Sequence, residues 1–203
     1  MSAQPGPADV WRLFDLGGRV AVVTGGCQNF GWEIATGLGE AGAELAITSR
    51  ELAKAQQKAA QLTARLGVRV LPVELDITSE PSVIAAFQRI EQSFGRIDVL
   101  VNNAGGHFPG SSGNTADEDA AVWRSYIDAN LTGTFLCIRQ CAKIMIRQRS
   151  GSIINIASVT SLVGRDRSIY EGFPGFRNPV GYTSVPRKNS IPIILQALTS
   201  LGK

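Results

Sequence analysis

The chain has 203 residues, 44% hydrophobic and 18% charged, with 22 Gly, 9 Pro and a formal net charge of +3. Its mean hydropathy of +0.05 is too high for intrinsic disorder and too low for a membrane bundle, so one globular domain spanning 1–203 is expected. No apolar run reaches the roughly 20 residues of a spanning helix, which excludes a membrane partner from the expectation. The first ten residues include Pro5, Pro7 and Asp9 and lack the basic start and apolar centre of a secretion signal, so the expected location is cytoplasmic. The three cysteines then read as thiols. From Arg165 onward six basic residues face two acidic ones, giving +4, while the first 164 residues sum to −1. That excess is too sparse for the basic stripe of a nucleic-acid domain, and no nucleic-acid partner is expected.

In chain order, Arg19 to Thr24 is short, β-branched and followed by glycines, as a strand buried on both faces would be. Gly31 to Gly42 carries Ile34, Ala35, Leu38 and Ala41 at helical spacing. Ala43 to Ser49 reads as a second strand, and Glu51 to Leu66 as a helix with the stripe Leu52, Ala55, Ala59, Leu62 and Leu66. Val68 to Leu75 is a third strand. Ser79 to Phe94 is a helix in which Ser79 caps and Pro81 occupies the first turn. Asp98 to Asn102 is the fourth strand, Gly105 to Glu118 a polar loop and candidate wall of a substrate pocket, Asp117 to Arg149 one long helix, and Ser152 to Ala157 the fifth strand. Strands alternating with helices predict an α/β fold: a doubly wound parallel sheet in a three-layer αβα arrangement. Ligands of such sheets bind at the carboxyl ends of the strands.

The strongest local signal is Thr24-Gly25-Gly26-Cys27-Gln28-Asn29-Phe30-Gly31, between the first strand and the first helix. Small residues there let backbone N–H groups approach a pyrophosphate at a helix N-terminus. Tight turns need glycine for geometry in many folds, and it is the placement after the first strand that favours a nucleotide. At the end of the second strand stand Thr48-Ser49-Arg50. A carboxylate there would bond the ribose 2′-hydroxyl and repel a 2′-phosphate. With Arg50 able to hold phosphate instead, NADP is expected in preference to NAD; the competing reading makes Arg50 a solvated cap residue.

With Asn102-Asn103-Ala104-Gly105 after the fourth strand, the glycine turn resembles that of the short-chain dehydrogenase/reductase family. The resemblance runs from about Phe14 to Val185 and includes Leu75-Asp76-Ile77, Phe94-Gly95-Arg96-Ile97-Asp98, Asn130 in Asp128 to Gly133, Ser158, and Tyr182-Thr183-Ser184. It implies a Rossmann-type sheet of order 3-2-1-4-5 and a nicotinamide cofactor held by Gly25, Gly26, Asn29, Phe30, Gly31, Ser49, Arg50, Asp76, Ile77, Asn103, Ala104 and Gly105. It also implies hydride exchange with a small hydroxyl or ketone substrate, and a homo-oligomer built on the long helix and the tyrosine-bearing helix. In the turn, Asn29 replaces the family's middle glycine; asparagine is the residue that best tolerates a left-handed backbone after glycine, so the turn is expected to form.

For catalysis the resemblance implies Ser158 orienting the carbonyl, Tyr182 as proton donor or acceptor, and Asn130 in a water-linked relay. A phenol of pKa about 10 must approach neutrality to act as a general base, which takes about 4 kcal/mol of help from nearby positive charge. The family supplies a lysine four residues after the tyrosine. Tyr170 lies twelve residues after Ser158 but is followed by Glu171-Gly172-Phe173-Pro174; Tyr182, in Tyr-Thr-Ser-Val, is preferred. Tyr-Glu-Gly with a proline-containing insert before the second tyrosine resembles the gluconate 5-dehydrogenase type, which handles sugar acids and polyols.

The residue four after Tyr182 is Pro186, and Arg187 and Lys188 lie about 100° and 200° further round any helix, so neither takes the lysine's place directly. Residues 186–203 form an atypical tail in which the family's strands 6 and 7 are unrecognisable, although Ile191, Ile194, Leu195, Leu198 and Leu201 keep a helical stripe. The expectation is a shortened or altered C-terminus, from a shifted frame, an altered splice or a truncated gene. The rival reading is a nucleotide-binding or interaction protein that has lost turnover. His107, the single histidine, is a loop residue or substrate contact, and no metal site is expected. Cys137 and Cys141 are expected in a core or interface, and Cys27 is a candidate oxidation-sensitive thiol.

Overall fold

The computed structural model describes residues 10–105 and 118–157. Five strands, β1 (Val20–Val23), β2 (Glu44–Ser49), β3 (Val70–Glu74), β4 (Val99–Asn102) and β5 (Ser152–Asn155), form one parallel sheet in the order β3-β2-β1-β4-β5. The expected α/β class and the 3-2-1-4-5 order are therefore found. Register sets Val22 opposite Ala46 on one side and Leu100 on the other, so β1 is central and all four of its residues are buried. Pro72 falls in β3 opposite Ile47. It is tolerated there because β3 ends the sheet order, and the missing N–H faces no neighbouring strand.

Strand alternation distributes the core. Val22, Ala46, Val73 and Leu100 pack with Phe87 and Ile90 of α3 (Glu80–Phe94) and with Leu136, Ile138 and Cys141 of α5 (Gly133–Gln148). Ala21, Val23, Leu45, Ile47 and Val101 pack on the other face with Ala35 of α1 (Asn29–Glu40) and Ala55, Ala59 and Leu62 of α2 (Leu52–Leu66). The three layers follow from these two apolar faces, and Cys137 and Cys141 lie in the core as expected. Ser79 caps α3 by accepting from the Ser82 N–H at 3.5 Å, with Pro81 in the first turn.

One expectation is corrected. The stretch read as a single helix over Asp117 to Arg149 is α4 (Ala120–Ile127), a π-helical turn (Asp128–Thr132) and then α5. Asp119 caps α4, accepting from Ala121 and Val122 N–H at 2.6 and 3.3 Å. The break follows from residues that favour helices weakly, Asn130, Thr132 and Gly133. Side chains of Asn130 and of Thr134, just beyond, bond carbonyls at the irregularity: Asn130 Nδ2 donates to Tyr126 O at 3.0 Å and Thr134 Oγ1 to Asn130 O at 3.2 Å.

At the amino end of the sheet Asp98 is 5% exposed and ties β1 to β4. It accepts from Val20 N–H at 2.9 Å, Arg19 at 3.0 Å, and Arg96 at 2.8 and 2.6 Å. Burial works against its charge, but the bonds from Arg96, Val20 and Arg19 together outweigh it and hold the carboxyl below the ordinary carboxylate range. This leaves the carboxyl end of the sheet as the edge open to a ligand. Among the described residues no helix is long and apolar enough to cross a membrane.

Candidate functional site

At the carboxyl edge, the turn after β1 and the segment after β4 are joined side by side. Thr24 Oγ1 accepts from the N–H groups of Asn103 and Ala104, both at 3.0 Å. Asn103 Nδ2 donates back to the carbonyls of Thr24 and Gly25 at 3.1 and 3.3 Å. One amide thus fixes two carbonyls of the turn. Gly25 has φ +65°, and its N–H donates to Thr48 Oγ1 at 3.1 Å, linking the turn to β2 as well. Asn29 has φ +47°, the left-handed conformation expected of it.

The closeness of packing explains Gly31. A Cβ there would sit 2.2 Å from Gly25 O and 2.6 Å from Asn103 Nδ2, so no side chain fits between α1 and the turn. Gly26 is buried against Val23 and Ile47. Gly26, Gly31 and Asn103 therefore shape the turn from behind.

In front lies a cleft of about 360 Å³, and the residues that sequence reasoning picked out converge on it: Gly25, Ser49, Arg50, Asp76, Ile77, Ala104 and Gly105 all line it. Asp76 Oδ1 accepts from the N–H and hydroxyl of Thr78 at 2.9 and 2.7 Å, which fixes the carboxylate at the cleft wall. The π-helical turn closes the far side. Asn130 is 6% exposed, and a Cβ on Gly105 would lie 2.6 Å from Asn130 Oδ1, so this candidate catalytic residue abuts the candidate cofactor segment. Asn29 and Phe30, also expected at the cofactor, are not among the lining residues; both are exposed, Phe30 at 77%. Ser158 and Tyr182 lie outside the described residues, as do Tyr170, His107, Pro186, the 186–203 tail and most of the 105–118 loop.

Gln28, Glu51, Lys54, Thr78 and Ala129 also line the cleft and escaped the sequence reading as site residues. Gln28 and Lys54 face each other across the cleft, with Lys54 Nζ bonded to Gln28 Oε1. The available signal was Lys54's place four residues after Arg50, in the first turn of α2. Cys27 is corrected: it is 2% exposed, and burial pushes its thiol up to about 11 against the opposing pull of Lys54 and Lys58. A buried, protonated thiol is a poor target for oxidants, so it packs in the turn.

Glycine at the tight contacts, N–H groups at the start of α1, and polar side chains after β2 and β3 make a lining suited to a dinucleotide. The chain belongs to the short chain dehydrogenase family, whose model matches residues 19–170. It is similar to the 5-keto-D-gluconate 5-reductase of Escherichia coli strain K12, 32% identical over 154 residues that make up 76% of this chain and 59% of that one. Among solved structures it resembles the NADPH-dependent 3-quinuclidinone reductase from Rhodotorula rubra, at TM-score 0.80 and 28% identity over 99% of this chain and 71% of that one. It also resembles an NAD⁺-bound xylitol dehydrogenase, at TM-score 0.77 and 27% identity over 92% and 66%. The chain spans 59% of the length of curated relatives that it matches.

Proposed function

We propose that this chain carries the cofactor-binding part of an NAD(P)-dependent oxidoreductase that moves hydride between the nicotinamide and a hydroxyl or ketone substrate such as a sugar acid or polyol. The observation that carries the reading is the cleft in which the glycine turn, Arg50, Asp76, Ala104 and Gly105 meet. Backbone N–H groups of the turn would hold the pyrophosphate, Asp76 and Ile77 the adenine side, and Ser49 and Arg50 the ribose. With an arginine and no acid directly after β2, NADP is the preferred cofactor and NAD the alternative. The cofactor, when bound, supplies the hydride. Asn130 would position water beside the reacting centre, Ser158 would orient the carbonyl, and Tyr182 would hold or release the proton at its phenolic oxygen.

Pro186, four residues after Tyr182, favours a second reading, a cofactor-binding protein without turnover. Arg187 and Lys188 follow one and two residues later in sequence, so the position from which a lysine would lower a tyrosine pKa carries no charged residue. The preferred reading includes a homo-oligomer, and on α5 Phe135 and Ile146 are exposed on either side of Arg139 and Lys143.

Titration of NADPH and NADH against Trp32 fluorescence, followed by assays on sugar acids and ketones, separates the readings. The oxidoreductase reading expects binding and turnover, with Tyr182→Phe lowering kcat at least about 100-fold while leaving cofactor affinity within about twofold. Binding without turnover supports the second reading, and binding of neither cofactor refutes both.

A further inference from the structure

On one face of the sheet the core stops short. A single cross-strand row runs Ile47, Val23, Val101, Ile154 through the registers of β2, β1, β4 and β5. The first three are at most 1% exposed, whereas Ile154 is 45% exposed. The neighbouring row repeats the gradient: Leu45 and Ala21 are fully buried, Val99 is half-buried and Ser152 is exposed. The helices packed on this face are α1 and α2, which lie against β1 to β3. The opposite face differs, because α5 extends the cover to β4 and Ile153 packs into that core.

The side of α1 nearest the gap is apolar as well. Trp32 and Glu40 meet Lys58 and Arg65 of α2, which fixes the side of α1 that faces α2. Ile34 and Leu38 lie about 120–160° round the helix from those two, on the side toward β4 and β5. Both are half-buried, and Phe30, one turn before Ile34, is 77% exposed. Helix flank and sheet form an apolar corner made of Ile34, Leu38, Val99, Ile154 and Ile156.

The sequence holds a stripe of matching size. Over 191–201 the residues Ile191, Ile194, Leu195, Leu198 and Leu201 share one side of a helical pattern, with Gln196 and Ser200 about half a turn away. Ser190 with Pro192 is a helix start and Gly202 a helix stop. Those residues would rise about 16 Å as a helix, against about 18 Å for α1 (Asn29–Glu40) beside the corner. Extended at about 3.3 Å per residue, 158–189 spans up to about 100 Å, so reach does not limit where the stripe goes. Corner and stripe are two apolar patches of one molecule, each costly to leave in water. The tether brings them together at an effective concentration on the order of 1 mM, which a separate partner would have to match.

We propose that residues 191–201 dock as an amphipathic helix in this corner, their apolar stripe covering Ile154 and Val99 and the Ile34 and Leu38 flank of α1. The third layer of the fold is thereby completed by the chain's own atypical tail. The proposal is independent of whether the cleft at the carboxyl edge supports turnover.

The test uses the full chain carrying Ile154→Cys, whose thiol reports the cover because Cys27, Cys137 and Cys141 are buried. Maleimide labelling is followed by mass spectrometry, molecular mass by light scattering and folding by circular dichroism. Adding Leu195→Asp with Leu198→Asp is expected to speed labelling at least about tenfold, while Gln196→Asp with Ser200→Asp changes it less than about twofold. Rapid labelling before any tail substitution would overturn the proposal, as would protection indifferent to the stripe. Protection that vanishes on dilution, at the mass of a dimer, would give the corner to a second copy and overturn it too. If the aspartate variants do not fold, disulfide formation under air decides. Ile154→Cys paired with Leu195→Cys or with Leu198→Cys should give a within-chain disulfide in at least one case, and paired with Ser200→Cys should not. No cross-link from the stripe, or equal yields from both sides of the helix, overturns the docking.

Discussion

Replacing Gly31 by alanine tests the packing on which the whole site depends. The added Cβ would lie 2.2 Å from Gly25 O, where Cβ contacts under 3.0 Å essentially never occur, so backbone must separate by about 0.8 Å. The opposing atom is a carbonyl in the tight turn, which cannot swing aside as a side chain would. Asn103 Nδ2, 2.6 Å from the new methyl, must move as well, loosening its bonds to Thr24 O and Gly25 O. Overpacking of this kind costs about 1–3 kcal/mol, and weakening the two hydrogen bonds adds about 1 kcal/mol. The melting temperature of Gly31→Ala should therefore fall by roughly 5–15 °C, and NADPH binding should weaken at least about tenfold because the turn is displaced. Gly37→Ala on the same helix is the control. No atom lies within 4 Å of its Cβ position, so the substitution should stabilise by about 0.5–1 kcal/mol. The melts are followed by circular dichroism and the affinities by Trp32 fluorescence. A Gly31→Ala protein that melts and binds like the wild type would falsify the account of the turn.

Two further outcomes follow from the electrostatics. Asp98→Asn, which removes the charge that Arg19 and Arg96 bond, should cost about 2 kcal/mol at pH 7 by denaturant unfolding. Because the folded carboxyl titrates below its unfolded value of about 3.9, the charge stabilises the fold above that pH and loses the contribution as pH falls through the folded pKa. The wild-type advantage should shrink in acid, and a gap independent of pH would count against the clamp. Cys27, its thiol pushed up to about 11 from an ordinary 9.0, should have roughly 100-fold less thiolate at pH 8 than an exposed cysteine. Iodoacetamide mapped by mass spectrometry should modify it mainly on unfolding; rapid labelling of the folded protein would contradict the burial.

Much of the fold was legible before any coordinates, for reasons that lie in short stretches of chain. β-branched runs such as Arg19 to Thr24 and helical stripes such as Ala55-Ala59-Leu62 report periodicity, which depends only on neighbours. The Ser79 cap and the left-handed Asn29 are properties of one residue and its adjoining backbone. Glycine content predicted a turn, while the reason that Gly31 in particular tolerates no methyl lies in Asn103, on another strand's end. The π-helical turn was hidden because its residues still satisfy a helical apolar pattern on either side, and only backbone hydrogen bonding distinguishes it.

The sequence by itself determined the order of the elements, the parallel sheet and the family of motifs along its carboxyl edge. Tertiary structure alone decided that Lys54 reaches Gln28, that Asp98 gathers Arg19 and the Val20 amide, and that Cys27 is buried. These depend on segments 26 to 79 positions apart being folded against one another. Charge pairing and desolvation act through space, so their effects on a side chain become definite only when the sheet has brought its partners together.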